Sequence, residues 1–395
     1  MTGCMAPRWR SGREGFTLPE LLVGAAIVLV IMAGIVGVVD PGHAASRAQP
    51  AAIDIQQRLR AASESISADI LGAGSGPMNG VFGKALGTVV PTVLPYRVGP
   101  RGDAPGTVRT DAITLITSGS PHVAGRLREA FVPSNGIAQI EPGPGCPVGD
   151  DTCGLRAGGA VVLIDSLGQS DLFRVDGVAG ASLTLVARGT ISGRPFPVGT
   201  AVVPVTVSVY YLRQGSGADG SQVMSGDGDQ SDLPLVDHVT RLAFELFGDP
   251  QPPRLRSAGA AYSPTYGPSP PRLGVDDVRD GWPAGENCTF QATATDQPGR
   301  LGRLGAGTTA VRLSSGVLAD GPWCPDGLAS GRYDADLLRV RAVRVTIRAE
   351  ASSAAVRGLD ARWFDHPGRS RDPSAVAADQ QVVFDVVPRA LQVGR

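Results

Sequence analysis

Gly15-Phe16-Thr17-Leu18-Pro19-Glu20-Leu21-Leu22-Val23-Gly24-Ala25-Ala26-Ile27 opens the stretch that decides how the rest of the chain is read. From Leu21 to Val39 nineteen consecutive residues carry no charge, about the length that crosses a hydrocarbon core of roughly 30 Å as a helix. Ahead of this run, Met1 to Gly15 carries Arg8, Arg10 and Arg13 against the single acid Glu14, and basic flanks stay cytoplasmic. An ordinary secretory signal ends its apolar stretch in a small-x-small cleavage site. Here the Gly15-Phe16 junction comes before the apolar run, so cleavage there leaves the apolar helix on the mature protein. Glu20 stands at the edge of that run, where a buried carboxylate without a partner is strongly unfavourable. Something must offset it.

These residues resemble the class III prepilin signal shared by type IV pilins, type II secretion pseudopilins and competence pseudopilins. The resemblance implies that a membrane-embedded prepilin peptidase cuts after Gly15 and methylates the new amino terminus, Phe16. It also implies that Glu20 pairs with the Phe16 amino terminus of a neighbouring subunit, neutralising both charges and setting axial register. The plainer alternative is a signal anchor with a glutamate at its cytoplasmic edge. Pro19 fits either reading, since proline is tolerated in the first turn of a helix.

Asp40-Pro41-Gly42 is expected to break or kink the helix, with a second helix following. Between Ala51 and Leu71 the residues Ile55, Leu59, Ala62, Ile66 and Ile70 recur at spacings of three and four, which marks one apolar face of an amphipathic helix. Gly72, Gly74, Gly76 and Pro77 end it. The domain plan is therefore a leader over 1–15, a transmembrane and assembly segment over 16–40, and an extracytoplasmic head over 41–395.

Glycine (53) and proline (32) exceed a fifth of the chain and aromatics make up only 5%, which favours short strands joined by many turns. Strands are expected over Ala112–Thr117, Ala160–Asp165, Asp171–Val175, Ser182–Ala187, Ala201–Leu212, Val239–Leu246, Leu338–Glu350 and Gln381–Val387. In the seventh, Val343, Val345 and Ile347 share one face and Arg344, Thr346 and Arg348 the other, the pattern of a half-solvated antiparallel strand. The proline-rich segment 248–336 reads as a long surface insertion. The fold class is α+β: a long N-terminal helix, half transmembrane and half amphipathic, packed on a mostly antiparallel sheet. The late Val-Arg-Val-Thr-Ile strand and the closing strand are similar to those of large minor pilins of the PilW type and of the J-type pseudopilin.

Cys4 lies in the leader, leaving Cys146, Cys153, Cys288 and Cys324 in an exported, oxidising setting where disulfides form. Four cysteines allow three pairings; the simplest joins Cys146 to Cys153 and Cys288 to Cys324. A zinc site is disfavoured because no pair has a C-x-x-C spacing. Asp219, Asp227, Asp229 and Asp232 offer oxygen donors for a structural calcium, but they lack the glycine and distal glutamate of an EF-hand, and a solvated turn is preferred.

No H-E-x-x-H, Walker A or G-x-S-x-G pattern occurs, so nothing marks an enzyme. Gly305 to Ala310 only loosely matches a dinucleotide fingerprint and follows no strand, and the segment from Arg362 to His366 is read as local packing. The net charge is −1 with both signs interspersed, so no nucleic-acid partner is predicted. The expected partners are the prepilin peptidase, other pilins or pseudopilins through the N-terminal helix, and inner-membrane lipid before assembly. The function read from the resemblance is that of a minor pilin or pseudopilin that initiates or caps a type IV pilus-like filament, at the cell surface or in the periplasm. The alternatives are a J-type pseudopilin of type II secretion and a tip adhesin or DNA-uptake pilin.

Overall fold

A computed structural model describes residues 17–75, 90–103, 107–119, 125–143, 146, 148–165, 170–188, 195–215, 220–248, 255–256, 300–301, 309–315, 318, 336–352 and 379–392. Its first element is one helix, α1 (Leu18–Gly72), of 55 residues. A break or a kink was expected at Asp40-Pro41-Gly42; helix runs through these residues, so the break is corrected. Proline removes one amide donor and crowds one carbonyl, at a local penalty of about 3 kcal/mol. A long apolar helix on one side and an amphipathic one on the other already fix the backbone in register, so the helix carries the defect.

The two halves of α1 meet different surroundings. From Leu18 to Ile35 every side chain is exposed, whereas Ile55, Leu59, Ala62, Ile66 and Ile70 are buried in the head. Each buried Leu or Ile stabilises by roughly 1.5–3 kcal/mol, so this face seats the helix. Arg58 seals its lower edge, its guanidinium donating to the carbonyls of Asp237 at 2.9 Å and Glu350 at 3.5 Å. At the upper end Gly74 adopts φ +75°, and a Cβ there would stand 3.0 Å from that of Ala390, so glycine is required twice over.

Every strand pairing in the head among the described residues is antiparallel. Strands β1 (Val93–Leu94), β2 (Ala112–Thr117), β8 (Ala201–Arg213), β9 (Gln222–Gly226) and β10 (Asp232–Val236) form one part, β2 and β9 both pairing with β8. A second sheet is made of β11 (Val239–Gly248), β14 (Val311–Arg312), β15 (Val340–Ala349) and β16 (Gln380–Val386), in the order β14-β11-β15-β16. Together with α1 these strands enclose the main core, to which Tyr210, Phe244, Val343, Val345 and Ile347 belong. Apart from these sheets, β12 (Leu255–Arg256) pairs with β13 (Arg300–Leu301), and a turn of helix, α2 (Arg389–Gln392), follows β16.

The third component was not expected. Strands β3 (Gly125–Leu127), β4 (Ile137–Pro142), β7 (Ser182–Ala187), β6 (Ser170–Ala179) and β5 (Ala160–Ile164) pair in that order. Both ends of the series return to β8: β5 pairs along 201–205 and β3 at 201–202. The circuit therefore closes into a six-stranded barrel, which removes its free edges. It has its own core, where Phe173 packs edge-on against Phe131 at 5.5 Å and Phe196 at 6.2 Å. Such T-shaped pairs add about 0.5–1.5 kcal/mol beyond the area they bury.

The segment 248–336 lies mostly outside the described residues. Its later part returns to the main core: β14 pairs with Phe247 and Gly248, and Leu313 and Leu318 are buried.

Candidate functional site

The N-terminal site begins one turn into α1. Thr17 is the N-cap in extended conformation, and Glu20 reaches back so that its Oε2 accepts from the Thr17 amide at 2.9 Å and the Thr17 hydroxyl at 2.7 Å. A carboxylate at this position satisfies amides that the helix leaves unbonded and faces the positive end of its dipole. The partner that the sequence demanded for Glu20 is thus first supplied by its own turn. Oε2 takes both of these bonds, and no bond to Oε1 is formed among the described residues. Gly15 and Phe16, the junction read as the processing site, lie outside the described residues.

Beyond its exposed apolar half, α1 is tied to the head through polar contacts as well as apolar ones. The Tyr210 hydroxyl donates to Asp69 Oδ2 at 2.7 Å and lies 3.2 Å from Ser65 Oγ. Burial pushes the phenol up to about 12, and the adjacent Asp69 carboxylate adds to the effect. The α1 periodicity marked the apolar face but not this contact, because Ser65 and Asp69 recur four apart like any solvated pair.

Cys146 and Cys153 are joined by a disulfide with Cα atoms 4.7 Å apart. Cys153 sits at φ 55° and packs against the barrel core beside buried Leu155. The loop it closes is organised by Asp150, which accepts from the Thr152 amide and hydroxyl and from the Gly154 amide at 2.6–2.9 Å. The bridge therefore braces a loop laid on a core. Cys288 and Cys324 lie outside the described residues.

The acidic stretch considered for calcium is engaged by protein groups. Asp227 Oδ1 accepts from the amides of Asp229, Gln230 and Ser231 at 2.8–3.1 Å, turning the β9–β10 hairpin. Burial pushes its carboxyl up, but these three amides and the Arg188 guanidinium outweigh that and hold it below the ordinary range. Asp229 faces Arg174 at 2.8 Å and Arg188 at 3.6 Å, and Asp232 accepts from the Tyr211 hydroxyl at 2.9 Å. Asp219 lies outside the described residues. Among the described residues no group of three or more His, Cys, Asp or Glu could hold a metal ion. The hairpin has no short-turn signature in the sequence: five residues, 227–231, join β9 to β10, and their acids read more readily as oxygen donors than as a turn. The loose fingerprint from Gly305 and the Arg362–His366 segment fall almost wholly outside the described residues.

Residues 10–36 match the prokaryotic N-terminal methylation motif. No curated protein and no solved structure matches the chain. The motif supports a type IV pilin-like or pseudopilin protein, a structural class, and implies processing by prepilin peptidase and assembly with other pilins. Among the described residues one helix, at the N-terminus, is long and apolar enough to cross a membrane, which is consistent with a single-pass anchor.

Proposed function

We propose that this chain is a minor subunit of a type IV pilus-like filament, cut after Gly15 and methylated on Phe16. It waits in the inner membrane with its head outside and takes part in initiating or capping the filament. The observation that carries this reading is the joining of a prepilin motif to one helix whose first half is exposed and apolar and whose second half is the buried spine of a large head. An exposed apolar helix must be covered by lipid before assembly or by other such helices after it.

In this reading Glu20 works twice. Its Oε2 holds the first turn of its own helix through Thr17, and its Oε1 accepts from the methylated amine of an adjacent subunit. A secondary amine stays protonated at neutral pH, so the pair carries no net charge among apolar helices, where an unpaired charge is strongly disfavoured.

The test is intact-mass and N-terminal analysis of protein taken from its native membrane, with and without prepilin peptidase. A start at methylated Phe16 that requires the peptidase is expected, and an intact Met1 or a cut beyond Val39 would remove the filament reading. Glu20→Ala is expected to be cleaved normally yet to leave the protein largely in the membrane fraction; normal recovery in sheared filaments would sink the charge-pairing role.

A further inference from the structure

Strand β8 is shared by the barrel and the main sheet. β2 pairs with it over 206–211 and β9 over 209–213, so these two lie on its opposite edges; β3 pairs at 201–202 and β5 over 201–205, again on opposite edges. Ser118, which follows β2 and leads toward β3, donates its Oγ to the Pro204 carbonyl at 2.9 Å. This places β3 on β2's edge, and therefore β5 on β9's. On that second edge residues 206–208 have no strand partner among the described residues. A cavity of about 430 Å³ lies beside this stretch, lined by Val207 with Ser225, Asp227, Ser231 and Leu233.

The β9–β10 turn, 227–231, spans the break, and it does so through charge. β9 ends at Gly226, opposite Val209; β5 begins at Ala160, opposite Val205, and Ala160 pairs in turn with Arg174. Across this step, about 13 Å at a rise of roughly 3.3 Å per residue, the Asp229 carboxylate meets Arg174 at 2.8 Å and Arg188, the residue after β7, at 3.6 Å. Arg188 also donates to the Asp227 carbonyl at 2.8 Å. On the main-sheet side the turn is wedged: a Cβ on Gly228, at φ +76°, would stand 3.0 Å from Val209 Cγ2 and from the Val98 carbonyl oxygen, and Gly99 lies so close to the Gly228 carbonyl that a Cβ has no room. Only 8% of the Asp229 side chain and 4% of the Arg188 side chain are exposed. Burial pulls the Arg188 guanidinium down from its ordinary value, and the Asp229 carboxylate opposes this. Without the Asp229 charge a buried cation is left short of its partner.

Elsewhere along β8 the contact is apolar: Ala160, Val162, Val203 and Val205 join the main core. Apolar contact is non-directional and holds surfaces together without fixing their angle, whereas a carboxylate gripped by two guanidinium groups fixes it. We propose that the β9–β10 turn is a latch that sets the angle of the barrel. Asp229, wedged against the main sheet and gripped by Arg174 and Arg188, keeps barrel and sheet as one body. Its release lets the barrel rock about residues 204–208 of β8, re-aiming it relative to α1 with both cores intact.

The test is a distance distribution between spin labels on Thr184, exposed on β7, and Gln57, exposed on α1, carried by non-natural amino acids in the full chain in detergent micelles. The parent protein is expected to give a single narrow peak, and Asp229→Asn to lose it in favour of a broad distribution. Asp176→Asn, which touches Arg174 from a half-exposed position, is expected to keep the narrow peak. Hydrogen exchange should show Val161–Leu163 and Val343–Ile347 equally protected in all three. A narrow, unshifted peak in Asp229→Asn overturns the proposal, as does a broad distribution in the parent or equal broadening in Asp176→Asn. Loss of protection in Val161–Leu163 with the broadening also overturns it, since the barrel would then be unfolding and not rocking. If Asp229→Asn does not accumulate, Arg174→Gln removes the nearer partner of the carboxylate: a broad distribution supports the latch, and a narrow one overturns it.

Discussion

The head holds two cores built on opposite plans. The main core is organised by a helix: five α1 residues at helical spacing enter it, and both sheets close over them. The barrel core has no helix and is made by strands that return to their starting point through β8. A core seated on a helix is specified locally, since residues three and four apart must share a face. A core made by closure is specified by which strands find one another, at long sequence separation and correspondingly high loop-closure cost.

The comparison can be broken by substituting one anchor in each core and following thermal unfolding of the detergent-solubilised chain. Phe173→Ala removes the ring that touches both Phe131 and Phe196, and should destabilise the barrel by roughly 3–5 kcal/mol. Ile66→Ala in α1 should destabilise the main core by about 2–5 kcal/mol. Distinct transitions, each moved by one substitution, would show two units; a single transition moved equally by both would show that β8 couples them into one.

A smaller effect sharpens the contrast. Opening the Cys146–Cys153 bridge as a Cys146→Ser/Cys153→Ser pair frees a short loop and should lower barrel stability by about 2 kcal/mol. The main core's transition should not move, and a shift there would mean that the loop does more than cover the barrel.

Smallest is the tie between α1 and β8. Tyr210→Phe removes the bond to Asp69 and should cost about 1 kcal/mol at neutral pH. Because the folded phenol titrates at about 12, above the unfolded value near 10, its contribution is complete below pH ~10 and is lost as pH rises through the folded value. The stability gap between the parent protein and the Tyr210→Phe variant should therefore narrow between roughly pH 10 and 12. A gap that stays constant across that window would show that the hydroxyl's environment is not what separates them.

The same contrast explains how far the sequence could be read. The buried face of α1 follows from the spacing of Ile55, Leu59, Ala62, Ile66 and Ile70, and β7 spans Ser182–Ala187 as expected, with Leu183 and Leu185 buried and Thr184 and Val186 exposed between and after them. Val343, Val345 and Ile347 are buried as their alternation requires. Closure was not legible, because β3 is only three residues long and its pairing with Ala201 and Val202 has no local signature. Continuity through Pro41 was misread for a related reason: a local breaker was weighed without the long helical segments on each side. At the candidate site Glu20 was visible as a charge out of place, but its bond to Thr17 needed the helix start to be fixed first. Asp227 was legible as an oxygen donor, and its three amide partners appear only once the hairpin is folded.

β8 also has a mechanical meaning. A load applied at the barrel and resisted at the membrane runs lengthwise down this strand, whose hydrogen bonds to β2 and β9 lie across the pull. Bonds arranged in this way are strained together and not one after another, as they would be if a hairpin were peeled from its end. Tension applied to the barrel would thus pass into the main sheet in shear, and from there through Tyr210 and the buried face of α1 into the long helix.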